Sequence, residues 1–181
     1  MKEYTTEFLR NVALVSHGGA GKTMLAESFL HATGATTRLG KVEDGTAASD
    51  YDDEEHRRKI SIYSSVIPIE HRDHKINIID APGYTDFVGE AISALSVADG
   101  AIILVDAVAG IEVGTELAWR YDEFNLPRFF VINKMDRDNA DFQRHAMPSK
   151  NLSRRMRSAW CRCISPSARS RISKAWWMSS A

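Results

Sequence analysis

Lys22 and Thr23 follow a run of small residues, Ser16-His17-Gly18-Gly19-Ala20-Gly21, and residue types in this order can cradle a phosphate. Glycines let successive backbone N–H groups turn toward one point, where the positive end of a following helix adds to the field an anion feels. Lys22 would reach the outer phosphates, and the Thr23 hydroxyl would bind Mg²⁺. The full pattern, G-x-x-x-x-G-K-[ST], begins with Gly where this chain carries Ser16, another small residue. A strand, a glycine-rich turn and a helix form a common combination. The Lys-Thr pair directly after the last glycine, flanked by apolar residues, is what favours a nucleotide site with His17 through Thr23 as contacts.

Two further groupings could complete such a site. Asp80-Ala81-Pro82-Gly83 places a carboxylate after an apolar run, with a glycine three residues on. At the carboxyl end of a strand in an α/β sheet, that is where Mg²⁺ is held and a terminal phosphate sensed. Asn133-Lys134-Met135-Asp136 comes after another apolar run. A fixed carboxylate there accepts from guanine N1–H and the 2-amino group, donors that adenine does not offer in that place. A buried carboxylate left without them discriminates strongly.

Positioning these groups requires strands that end on them. Asn11–Val15 reads as a strand feeding the glycine loop, and Leu25, Phe29 and Leu30 fall at helical spacing over residues 24–31, with Gly34 as a stop. Ser61–Ile69 and Lys75–Asp80 read as strands joined by a polar connection, Glu70 to His74, short enough for an antiparallel hairpin. Phe87–Ser96 reads as a helix, Ala101–Asp106 as a buried parallel strand, Val113–Phe124 as a helix and Phe129–Ile132 as another buried strand. Residues 34–60 are polar without periodicity and read as a long mobile loop, with Asp52-Asp53-Glu54-Glu55 a solvated charge run.

The composition, 44% hydrophobic and 26% charged over 181 residues, is that of a globular domain able to bury a core. The longest apolar run, Ala101–Val105, is far short of the ~20 residues a membrane helix needs, and Met1–Glu7 lacks the apolar core of a signal peptide. A cytoplasmic chain with no membrane partner is expected. Charge is unevenly spread. Every acidic residue lies at or before Asp141, so residues 1–143 carry 14 basic and 24 acidic side chains, whereas 144–181 carry nine basic and none acidic. Cys161 and Cys163, one residue apart in that basic tail, support neither a disulfide framework nor a complete zinc site.

With its three motifs in this order, each after an apolar strand, the chain resembles the G domain of the translational GTPases, most closely the elongation factor G family. The resemblance rests on residues 16–23, on Asp80 to Phe87, on Val97-Ala98-Asp99-Gly100 leading to Asp106, and on Asn133 to Arg137, and covers about residues 8–143. It implies an α/β P-loop NTPase fold with a mostly parallel sheet and helices on both faces. It also implies binding of GTP and GDP with Mg²⁺, GTP hydrolysis, and the ribosome as partner in translocation, by a monomer. On matching positions, Lys22 and the loop amides would hold phosphates, Thr23 and Ser61 would hold Mg²⁺, and Asp80 would support the ion through water. Gly83 would sense the γ-phosphate, Asn133 and Asp136 would read guanine, and Lys134 would lie along the base. The stretch 34–60 would be a switch ordered by GTP.

Three departures from the family pattern carry expectations. Gly19 stands where Asp is usual, and Lys59-Ile60-Ser61 where Gly-Ile-Thr is usual, with the hydroxyl kept at Ser61. Tyr84 stands where the family usually has the His that positions the attacking water. A phenol is neutral at pH 7 and can orient water but hardly remove its proton, so hydrolysis is expected to be slowed and not abolished.

The tail from Arg144 predicts a displaced reading frame. Trp176-Trp177-Met178 must be encoded TGG TGG ATG. One base earlier, with a TCN codon at Ser179, the run reads Leu, Met or Val and then Val-Asp-Val. Residues 160–168 in that frame are compatible with Val-Val-Pro-Val-His-Leu-Pro-Ile-Gly, and both phrases resemble the stretch after the guanine motif in the elongation factor G family. The expected organisation is an incomplete G domain over 1–143, open at its C-terminal edge, and an out-of-frame or disordered basic tail over 144–181. The guanine-closing loop would then be missing and nucleotide binding weak, with Arg128–Ile132 an uncovered apolar edge. The competing expectations are a non-hydrolysing guanine-nucleotide-binding fragment, a ribosomal protection or recycling GTPase, and an ATPase whose loop also reads Gly-Gly-x-Gly-Lys-Thr; Asn133 and Asp136 speak against the last.

Overall fold

Five strands form one sheet in the order β2-β3-β1-β4-β5: β1 Leu9–Val15, β2 Ser65–His71, β3 His74–Asp80, β4 Gly100–Asp106 and β5 Arg128–Asn133. The computed structural model describes residues 2–42, 44–49, 51–121 and 125–142. The basic tail, its two cysteines and the displaced-frame reading lie outside the described residues. β1, β3, β4 and β5 run parallel, and only β2 is antiparallel to its neighbour. The register pairs Leu14 with both Asp80 and Ile102, and Asp106 with Asn133, so the residues that end the parallel strands share one edge of the sheet.

Alternation along the strands divides the core in two. Leu14, Ile78, Leu104 and Val131 pack on one face with Leu25, Ala26 and Leu30 of α1 (Lys22–Ala32). Val15, Ile79, Ile103, Val105 and Ile132 pack on the other, with Ala94 and Leu95 of the helix Val88–Ser96 and Ala118 of the helix Val113–Arg120. Each fully buried branched side chain contributes about 1.5–3 kcal/mol. The expected α/β fold with helices on both faces is therefore present. Among the described residues β5 has no strand beyond it, and Phe129 on it is exposed. No helix of these residues is long and apolar enough to cross a membrane.

Three boundaries differ from the sequence expectation for identifiable reasons. β2 begins at Ser65, because the N–H groups of Ile62 and Tyr63 donate to the Glu55 carboxylate and that of Ser64 to Glu90, away from the sheet. The β2–β3 connection is only Arg72-Asp73, both at positive φ (47° and 61°), as a two-residue hairpin turn of matching twist requires. The helix expected over Val113–Phe124 ends at Arg120, where the Arg128 guanidinium takes the carbonyls of Trp119 (2.6 Å) and Tyr121 (3.0 Å). In chain order α2 is Asp53–Arg58, α3 is Val88–Ser96 and α4 is Val113–Arg120.

The stretch 34–60 is built and not merely a loop. Asp52 caps α2, its side chain accepting from Glu54 N–H at 2.8 Å, and Glu55 completes a capping box. Of the acidic run expected to be solvated, Asp53 is exposed, but Glu55 is 1% exposed. Its Oε2 accepts from Tyr51 and Asp52, both at 3.2 Å, and its Oε1 from Ile62 (2.8 Å) and Tyr63 (3.1 Å). Glu27 on α1, also buried, accepts from the N–H groups of Gly40 (3.0 Å) and Ala48 (2.5 Å). Two carboxylates thus hold a polar segment that has little apolar surface of its own to bury.

Candidate functional site

The glycine-rich loop leaves β1 at Val15 and enters α1 at Lys22, with Gly19 and Gly21 at φ 80° and 93°. At Gly21, the residue preceding the helix, a β-carbon would run into Asn133 Nδ2 as well as strain the backbone. The Lys22 ammonium folds back under the loop, donating to the carbonyl of His17 at 2.9 Å and that of Ser16 at 3.4 Å. Burial pushes its pKa down to about 8, against the opposing pull of the Asp80 carboxylate. Gly83 closes the loop from the β3 side, where a β-carbon would collide with Lys22 Nζ and with the His17 carbonyl.

Thr23, one residue into α1, donates its hydroxyl to Asp80 Oδ2 at 2.7 Å, and Ser61 Oγ lies 3.3 Å from Thr23 Oγ1. Two hydroxyls and a carboxylate from three separated stretches of chain thus meet in one place. Hard oxygen donors of this kind suit Mg²⁺, and the cradle made by Gly21 and Gly83 suits a phosphate chain. A cavity of about 250 Å³ opens over the loop, lined by Gly18, Gly19, Lys22, Thr23, Ser61 and Gly83 and also by Lys59, Tyr84, Lys134 and Arg137. Tyr84 is half exposed, and its ring lies against Gly18.

From β5, Asn133 Nδ2 donates to the carbonyl of Ala20 at 2.9 Å, tying the turn after this strand to the phosphate-type loop. Lys134, at φ 60°, forms a 2.8 Å ion pair with Asp106 at the end of β4. Burial alone would raise the Asp106 pKa, but the Lys134 ammonium and the N–H groups of Val108 (2.8 Å) and Ala109 (3.1 Å) outweigh it and hold the group at about 2. Asp136 lies exposed in the same turn, two residues past Lys134.

His17 is the expected contact whose side chain turns elsewhere. Its imidazole is buried against α4, with Nδ1 3.0 Å from Thr115 Oγ1 and Nε2 3.5 Å from Glu112, while its carbonyl accepts from Lys22. Burial pushes the imidazole below its usual pKa, with Glu112 opposing. Asp106 is the site residue that the sequence reading passed over; a carboxylate ending a buried parallel strand was the available signal.

A family model described as the elongation factor Tu GTP binding domain matches residues 7–167. The chain belongs to this family. Among relatives of the domain, elongation factor G of Granulibacter bethesdensis is 42% identical over 145 residues, 80% of this chain and 21% of that protein. The mitochondrial ribosome-releasing factor 2 of Candida albicans is 44% identical over 136 residues, 75% of this chain and 17% of that one. A crystal structure of a Thermus thermophilus protein superposes with a TM-score of 0.73 at 44% identity, covering 77% of this chain and 21% of the other. The chain spans about a fifth of the length of such relatives.

Proposed function

We propose that the chain is the guanine-nucleotide unit of an elongation factor G-like protein, a GTPase of ribosomal translocation acting as a cytoplasmic monomer. Residues 1–143 carry the nucleotide site, and the basic sequence 144–181 follows it. The observation that carries the reading is the meeting of Thr23, Ser61 and Asp80 beside Lys22 and Gly83.

In this reading Lys22 and the amides of residues 17–23 hold the phosphates, Thr23 and Ser61 hold Mg²⁺, and Asp80 supports it through water. The ion, when bound, offsets charge on the β- and γ-phosphate oxygens. Gly83 lets the backbone approach the terminal phosphate, since no side chain fits there. Tyr84, lining the same cavity, orients a water without taking its proton. Asn133 and Asp136 read guanine, with Lys134 along the base. The ribosome-releasing factor relatives support a second role for the whole protein, ribosome recycling, with the same nucleotide chemistry.

The test is competition of GTP, GDP and ATP against a fluorescent guanine nucleotide on the full 181-residue chain with Mg²⁺, and then phosphate release with and without ribosomes. Guanine-selective binding and ribosome-stimulated release are expected. Equal competition by ATP would sink the reading, and guanine binding without release would leave a non-hydrolysing module.

A further inference from the structure

We propose that Lys59 is a second phosphate-contacting cation of this site, favouring the triphosphate over the diphosphate; the inference rests on the guanine-nucleotide reading of the site. Lys59 follows α2 directly and holds a left-handed backbone, φ 56° and ψ 39°, that residues with a β-carbon rarely adopt. The family resembled by the sequence has glycine here, for which the conformation carries no strain. A strained residue in a binding cavity is a candidate for function.

Its neighbours fix where the residue sits. The Lys59 N–H donates to the Glu55 carbonyl at 2.7 Å, and the buried Glu55 carboxylate takes N–H groups from residues on both sides of Lys59, Tyr51 and Asp52 before it and Ile62 and Tyr63 after it. Lys59 and Ser61 therefore share one wall of the cavity over the glycine-rich loop. Ser61 is the hydroxyl 3.3 Å from Thr23, which puts Lys59 at the phosphate and metal end. Near neutral pH GTP carries about one negative charge more than GDP, because a terminal phosphate has its second pKa near ~6. A cation on this wall favours the form with the extra charge.

Two measurements on the full chain test the inference. Lys59→Ala removes the ammonium and keeps the strained backbone, Lys59→Gly removes both, and Lys59→Arg keeps the charge. With Mg²⁺ present, the first two should weaken GTP about tenfold and GDP less than about twofold, with Arg near wild type. An acyl-phosphate ester of GTP should acylate the wild-type chain at Lys59 as well as Lys22. The lysine amine attacks the carbonyl, the C–N bond forms as the C–O bond to phosphate breaks, GTP departs, and the amine proton goes to solvent. Excess GTP should suppress the label at both lysines. Labelling of Lys22 alone, or Lys59→Ala binding both nucleotides as wild type does, overturns this inference and leaves the site reading standing. A wild-type chain that neither binds GTP nor takes label at Lys22 overturns both.

Discussion

The hydroxyl of Thr23 lies 2.7 Å from Asp80 Oδ2, joining the first turn of α1 to the end of β3 across 57 positions of sequence. The bond sets side by side two of the groups proposed to serve Mg²⁺, Thr23 directly and Asp80 through water.

Thr23→Ala should therefore abolish the gain in GTP affinity that Mg²⁺ brings, a loss of about tenfold or more, while metal-free nucleotide binding stays near wild type. Stability should fall by about 1–3 kcal/mol, since buried Asp80 loses a donor, and Thr23→Ser should restore both. Nucleotide titrations with and without EDTA, together with urea unfolding, check this. Undiminished Mg²⁺ enhancement in Thr23→Ala would remove Thr23 from the metal site.

Lys22 gives the site a pH signature. Its pKa is about 8 folded against an ordinary 10.5, so between these values the unfolded chain binds the extra proton and stability rises with pH. The cost of burying the charged amine is full below about pH 8, at roughly 3 kcal/mol, and vanishes above 10.5. Lys22→Met should flatten that rise. A bound phosphate restores the charge, so nucleotide binding near pH 8–9 should take up a proton. Calorimetry in buffers of different ionisation heat measures the uptake; heats independent of buffer would contradict it.

Glu55→Gln should destabilise by about 2–4 kcal/mol, because one of two oxygens, each accepting two N–H groups, becomes an amide NH₂ facing donors. Amide exchange at Ile62 and Tyr63 should accelerate with that at Tyr51. If exchange is unchanged there, Glu55 does not hold the segment.

Tyr84→His should raise ribosome-stimulated, single-turnover phosphate release about tenfold or more, with nucleotide affinity little altered, because an imidazole can both orient water and move a proton. Equal rates for the two side chains would mean that water positioning does not pass through residue 84.

The two core faces and the strand-end positions of Asp80 and Asn133 were legible because each is written locally, as an apolar run with its polar group directly after it. Glu27 and Glu55 were not, since an acid in a polar stretch looks solvated until the amides that surround it are known. The spacing Asp52-x-x-Glu55 was the overlooked cue. The hairpin of Arg72-Asp73 lacks the glycine that advertises such turns, and the loop of His17 does not reveal that its ring turns toward Thr115. The displaced-frame reading of the tail has its own check: the coding DNA over residues 140–181 should show the alternative frame open and continuous, and stops in it would end the idea.

The 2.9 Å bond from Asn133 to the Ala20 carbonyl rivets the turn after β5 to the glycine-rich loop. In the proposed reading, a purine that pushed Asn133 aside would break this bond and loosen the loop around the phosphates. An incorrect base would then be betrayed by how quickly the far end of the ligand lets go, so selectivity would be read in dwell time and not in the rate of arrival.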